Sequence, residues 1–161
     1  MILDSGTRRE FSSGAVRDVA EGKGRCDLLP LDEVAMVLKD PIFDLIGKYV
    51  ETGNIFHLRT SITRFIEKYY NANYETAILD LAKQYEEGAK KYAERNWQKG
   101  IPLHCFIDSG VRHYLKHRRG DTDEHHDRAF LFNMFGAIWT HTHLPEMIDL
   151  PFVQNNEENE E

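Results

Sequence analysis

"DTDEHHDRAFLFNMFGAIWTHTH", residues 121–143, decides the fold. Its apolar side chains, Phe130, Leu131, Phe132, Met134, Phe135, Ile138 and Trp139, cover the whole circumference of a helix rather than one face. A helix apolar all round sits at the centre of a bundle, so residues 122–142 read as a buried shaft. The stretch before it, residues 102–118, places Leu103, Phe106, Ile107, Val111, Tyr114 and Leu115 on one face. Residues 74–95 carry Ile78, Leu81, Ala82, Tyr85, Ala89 and Tyr92 at steps of three and four, the signature of an amphipathic helix. Between 31 and 71, "LDEVAMVLK", "PIFDLIGKYVETG" and "IFHLRTSITRFIEKYY" predict two or three short helices, with Pro41 in a first turn and Gly53 as a stop.

Strand signals are almost absent, which predicts an all-α, single-domain helical bundle over residues 31–150. Residues 1–30 read as an irregular arm, with room for a short strand pair, that docks through Leu28 and Leu29. Residues 151–161, ending "NNEENEE", read as a disordered acidic tail. The 161 residues suit one domain, and no apolar run approaches the roughly 20 residues that cross a bilayer. The start "MILDSGTRREF" lacks the features of a secretory signal, and Cys26 and Cys105 alone make no disulfide framework. The expectation is a cytoplasmic protein with no membrane partner. A net charge of −7 argues against a broad grip on polymeric nucleic acid. Yet Arg8, Arg9, Arg17, Lys23 and Arg25 cluster within "RREFSSGAVRDVAEGKGR", residues 8–25.

Placed on the helices, the charged residues divide. With Ile78 at the centre of the inward face, Glu86 falls roughly 80° away at the rim of the core and Glu87 roughly 180° away, toward solvent. Glu124 and Asp127 are three apart and share one side of a first turn, as a carboxylate pair on one cation must. Acidic residues there also suit the helix dipole, with Asp121 or Thr122 as the cap. His126 and Asn133 continue a stripe of small or polar residues through Ala129, Ala137 and Thr140. Asp108 and Arg112 have the spacing of an intrahelical ion pair. His113 and His117 have a spacing that zinc accepts, without a Cys or a fixed third His. The doublet His126–Asp127 resembles that of HD phosphohydrolases, although His104 and His113 lie closer along the chain than such ligands normally do. Glu and Asp oxygens suit Mg²⁺ or Mn²⁺ rather than zinc, and a basic arm suits a triphosphate.

Three features together, "SGAVRDVAEGKGRCDLLP" (13–30), "YEEGAKKYAERNWQKGIPLHCFIDSGVRHYLKHRRGDTDEHHDRAFLFN" (85–133) and their order, resemble the phage and prophage proteins that carry the dATP/dGTP diphosphohydrolase N-terminal domain, a group related to MazG-type nucleotide pyrophosphohydrolases. The matching positions are Arg17, Asp18, Gly22, Lys23, Gly24, Arg25, Asp27, Glu86, Gly88, Ala89, Lys91, Tyr92, Asn96, Trp97, Gly100, Arg112, His113, His126 and Asn133.

The resemblance implies Mg²⁺-dependent hydrolysis of a purine deoxynucleoside triphosphate to monophosphate and pyrophosphate. It further implies a homo-oligomer, a dimer or tetramer, in a bacterial host's cytoplasm. By the MazG-type pattern Glu86, Glu87, Glu124 and Asp127 hold metal, and Glu87 doubles as a water-activating base. His126 is the other catalytic candidate. Arg17, Lys23, Arg25 and Lys91 hold phosphates, with Arg112 and His113 also on the substrate. Asn96, Trp97, Asn133 and His126 reach base or sugar. Lys90 stands where that pattern has a further glutamate. This departure favours a second reading, a nucleotide-binding or sequestering protein without catalysis. A third is an HD-type hydrolase using His113, His126 and Asp127.

Overall fold

A computed structural model describes residues 2–153. After a small antiparallel hairpin, β1 (Arg8–Glu10) with β2 (Val16–Asp18), six helices follow: α1 (Leu31–Leu38), α2 (Pro41–Thr52), α3 (Ile55–Tyr69), α4 (Tyr74–Tyr92), α5 (Leu103–Arg119) and α6 (His126–His143). The fold is all-α apart from that hairpin. None of these helices is long and apolar enough to cross a membrane.

The chain turns where its caps dictate. Asp40 accepts the Ile42 and Phe43 N–H groups at the start of α2, Pro41 takes the first helical position, and Gly53 closes the helix with φ 71°. Asp40 is buried, and Tyr114 of α5 and Arg118 also bond to it, so one carboxylate ties two helices together. The centre of the bundle is α6, as its apolar circumference predicts. Phe130, Leu131, Met134 and Ala137 are fully buried, packed with Phe65 of α3 and with Phe106, Ile107 and Tyr114 of α5. Two glycines let α5 and α6 approach. A Cβ on Gly110 would run into Met134, and one on Gly136 into the Phe106 ring.

Four expectations are corrected. First, α6 begins at His126, not at 122, and His125 precedes it without a side-chain cap. Asp121 is bound by Arg119 and Asp123 by the His126 ring, so neither Asp121 nor Thr122 caps the helix, and Glu124 lies before it rather than in its first turn. Second, the inward face of α4 is the line Ala77, Leu81, Gln84, Gly88, Lys91, about one residue's 100° away from the line through Ile78. Ile78 is 45 % exposed and Leu79 70 %. The rotation exposes Glu86 and turns Glu87 inward, the reverse of the sequence expectation.

Third, the arm does not dock through Leu28 and Leu29, which are 70 % and 37 % exposed. It docks through hydrogen bonds made mostly by its backbone. Asn96 accepts the Val16 N–H at 2.8 Å and donates to the Val16 carbonyl at 2.7 Å, so a side-chain amide stands in for a third strand. Tyr92 accepts the Asp18 N–H, Ser13 donates to the Gly100 carbonyl, and Asp108 accepts the Cys26 N–H. Fourth, Phe152 is buried against Tyr49 and His141 rather than belonging to a tail. The acidic stretch 154–161 lies outside the described residues.

Candidate functional site

The docked hairpin encloses a cavity of about 480 Å³ against α4, α5 and α6. Its wall gathers residues far apart in sequence: Arg9, Arg17 and Lys23 from the arm, Lys91 from α4, Arg112, His113 and Lys116 from α5, Glu124, and Asn133 from α6. Six Lys and Arg face three carboxylates, Asp4, Asp18 and Glu124. The cavity is therefore cationic in a protein that is acidic overall.

The register of the hairpin sharpens that imbalance. Arg9 and Arg17 are directly opposite in the β1–β2 ladder, so two guanidinium groups share one face, an arrangement that repels. Arg17 is held by a hydrogen bond from its Nη2 to Asn133 Oδ1 at 3.0 Å and by the Phe106 ring at 5.3 Å. Asn133 is itself fixed by donating to the Ala129 carbonyl. Arg17 Nη1 is closed off from solvent with no acceptor, as are Arg9 Nε, Arg112 Nε and, outside the cavity, Arg128 Nε. No carboxylate pairs with Arg17 among the described residues, and burial pulls its pKa down. A desolvated cation without a counter-charge is costly, and an anion in the cavity offsets that cost.

Other cations of the cavity are partly engaged. Lys91 donates to the Leu3 carbonyl at 2.6 Å and lies 3.9 Å from Asp4. Lys23 is 3.6 Å from Asp18, and Arg112 bonds Asp108 and the Gly24 carbonyl, fastening the glycine-rich end of the arm. Asp108 and Arg112 thus form the expected ion pair and a tether as well.

Next to this cavity lies an aromatic pocket of about 430 Å³, which shares Gly88, Tyr92, Asn96 and Phe132 with it. Trp97 lines it, meeting Tyr85 edge-on at 5.6 Å and Trp139 at 5.0 Å. The turn that forms its rim carries two non-glycine residues at positive φ, Ala93 at 127° and Arg95 at 59°, a strained backbone of the kind that clusters at functional sites.

The structure thus brings Arg17, Lys23, Lys91, Arg112, His113, Asn133 and Glu124 to one cavity, with Trp97 beside it. Asn96 touches both spaces, but its amide is committed to Val16. Arg25 does not arrive: it forms a two-point pair with Asp27 and lines neither space. His126 is buried behind His113, with Nδ1 2.9 Å from His113 Nδ1 and Nε2 2.6 Å from Asp123. His113 is pushed down to about 3, by burial first and then by His126, Arg17, Lys116 and Arg112, so it is a neutral imidazole. His117 does not join it; that ring packs edge-on against Tyr69.

The four carboxylates expected to hold magnesium do not converge. Glu86 faces outward beside Lys90, Glu87 bonds Arg128 at 2.9 Å, and Asp127 accepts from Tyr70 at 3.2 Å. Arg128 is buried between α4 and α6 and also reaches Asp80 at 3.7 Å. That guanidinium pairs with Glu87 and Asp80 and so occupies the place a cation would take between them. Among the described residues the groups close enough to share a metal are His113–Glu124–His126 and Asp121–Asp123–His126, and neither includes Glu86, Glu87 or Asp127. The set Glu86, Glu87, Glu124 and Asp127 does not fit one shared magnesium. Sequence reasoning counted Arg9 in the basic cluster without assigning it to the site, and missed Lys116 and Arg128. The alternation of β1 and β2 carries the signal for Arg9, whereas Arg128 gives none before α4 is oriented.

No curated protein and no solved structure matches the chain. The family model described as "dATP/dGTP diphosphohydrolase, N-terminal" matches residues 67–149, the end of α3 through α6 and just beyond, which supplies the helical walls of the cavity but not its hairpin. The chain belongs to the dATP/dGTP diphosphohydrolase N-terminal domain family.

Proposed function

We propose that this protein hydrolyses a purine deoxynucleoside triphosphate to the monophosphate and pyrophosphate, with the triphosphate in the cationic cavity and the base in the aromatic pocket. The observation that carries this reading is the Arg17 guanidinium, desolvated, opposite Arg9 and without a carboxylate. A chain of phosphates supplies several acceptors at once, and charge-assisted bonds from guanidinium groups are the strong ones. Arg9, Arg17, Lys23 and Lys116 bind the phosphates. Asn133 and Phe106 position Arg17. Trp97, Tyr85 and Phe132 offer ring faces and edges to a purine. A cavity that holds the charge developing on a phosphoryl group, and orients it, performs the main work of phosphoryl transfer.

Magnesium enters this proposal as the ion that a triphosphate itself carries, with Glu124 the one expected carboxylate that faces it. Neither Glu87 nor His126 lines the cavity, so neither is assigned the attacking water. A cytoplasmic homo-oligomer, dimer or tetramer, in a bacterial host is part of the proposal, and exposed Ile78 and Leu79 on α4 offer it an apolar contact face. Arg128 among the carboxylates favours a second reading, nucleotide sequestration without turnover. Pyrophosphate release from each deoxynucleoside triphosphate with Mg²⁺ separates the two. Release with dATP or dGTP is expected, and tight retention of intact nucleotide would replace hydrolysis by sequestration.

A further inference from the structure

We propose that His113, His126 and Glu124 form a site for a first-row divalent transition metal at the edge of the cavity. Ligand atoms of the three residues lie within 4.8 Å of one another. The two Nδ1 atoms are 2.9 Å apart, and two nitrogen ligands at about 2.05 Å from one ion at a right angle are about 2.9 Å apart as well.

The surroundings are those of a ligand set. Asp123 accepts from His126 Nε2, which fixes the tautomer that leaves Nδ1 bare and directed at His113. Glu124 is partly buried, and its carboxylate makes no hydrogen bond or ion pair among the described residues, a costly state that a cation relieves. The competing cluster, Asp121–Asp123–His126, is weaker, because Asp121 is already held by Arg119 at two points.

Two imidazoles and one carboxylate favour Mn²⁺, Co²⁺ or Zn²⁺ over Mg²⁺, which prefers oxygen. Arg17, Arg112 and Lys116 act electrostatically on His113, so the cation sits beside other cations. A phosphate in the cavity would bridge them, and the metal then binds more tightly when phosphate is present. That last link rests on the nucleotide reading above; the metal site does not.

The test is a Co²⁺ titration of the metal-free full-length protein, read by visible absorption, with and without pyrophosphate and with no nucleotide. One Co²⁺ per chain is expected, with imidazole ligation, displaced by Zn²⁺ and not by millimolar Mg²⁺. His113→Gln and Glu124→Gln weaken it at least about tenfold, as does Asp123→Asn through His126, while Asp121→Asn leaves it unchanged. Asp123 is largely exposed, so that variant reports on the site even where a substitution of buried His126 fails to fold. Absence of a Co²⁺ spectrum, or one indifferent to all three substitutions, overturns the site and leaves an imidazole–imidazole hydrogen bond only. Binding that pyrophosphate does not tighten removes the phosphate bridge while leaving the metal. Hydrolysis is not the readout, so its failure is a separate result.

Discussion

Two arginines of the molecule are in opposite circumstances. Arg128, on α6, is buried with Glu87 at 2.9 Å and Asp80 at 3.7 Å, beside a Tyr70 hydroxyl that reaches Asp80 and Asp127. Arg17, on β2, has an amide, a ring face and another arginine for neighbours. The first is compensated within the protein, as a structural charge must be. The second has no carboxylate partner among the described residues, which is the state expected of a cation proposed to bind an anion.

The sharpest way to break this contrast is to remove each charge while keeping bulk. Arg128→Met leaves two carboxylates facing a buried gap and should cost about 3 kcal/mol of stability, read by chemical denaturation. Arg17→Met removes an uncompensated charge, so its stability should hold or rise, while affinity for dGTP falls roughly a hundredfold, about 2.7 kcal/mol. A loss of stability in Arg17→Met equal to that in Arg128→Met would erase the distinction.

Asn96→Ala probes what holds Arg17 in place. It strips two bonds from Val16 and should cost about 1–2 kcal/mol, with faster amide exchange across 8–18 as the hairpin loosens. Nucleotide affinity should fall with it, since the arm carries Arg9, Arg17 and Lys23.

How much of this was legible in sequence follows from where each residue's partners lie. The shaft of α6 announced itself because its apolar residues run all round, and Pro41 and Gly53 marked α2 because caps are local chemistry. The basic arm was legible as a cluster. The orientation of α4 was not, because its buried line carries Gln84, Gly88 and Lys91 while Ile78 and Leu79 face out. Rotating that face by about 100° exchanged Glu86 and Glu87 and hid the role of Arg128. Helical spacing pairs His113 with His117, four residues on, and only the HD-type reading joins it to His126, its partner thirteen residues away across the turn before α6. Periodicity reports a face, and only packing reports what the face meets.

A smaller effect checks the far end of α5. His104 is bonded to Asp149, with its pKa raised to about 10 by that carboxylate, and Asp149 is correspondingly lowered. A raised histidine stabilises the fold in full below its unfolded value of 6.5, and the contribution is lost as pH rises through about 10. The lowered Asp149 loses its share instead as pH falls through its folded value. His104→Gln should therefore lower Tm near neutrality by an amount worth about 1 kcal/mol or less, and the difference from wild type should vanish above about pH 10.

The central claim is that the uncompensated guanidinium faces a nucleotide's phosphates. Calorimetric titration of dGTP into the wild type, Arg17→Met and Arg128→Met, each at a temperature where it is folded, tests it most directly. The account predicts tight binding to the wild type, affinity weakened roughly a hundredfold in Arg17→Met and retention in Arg128→Met. Equal affinity in wild type and Arg17→Met would contradict it.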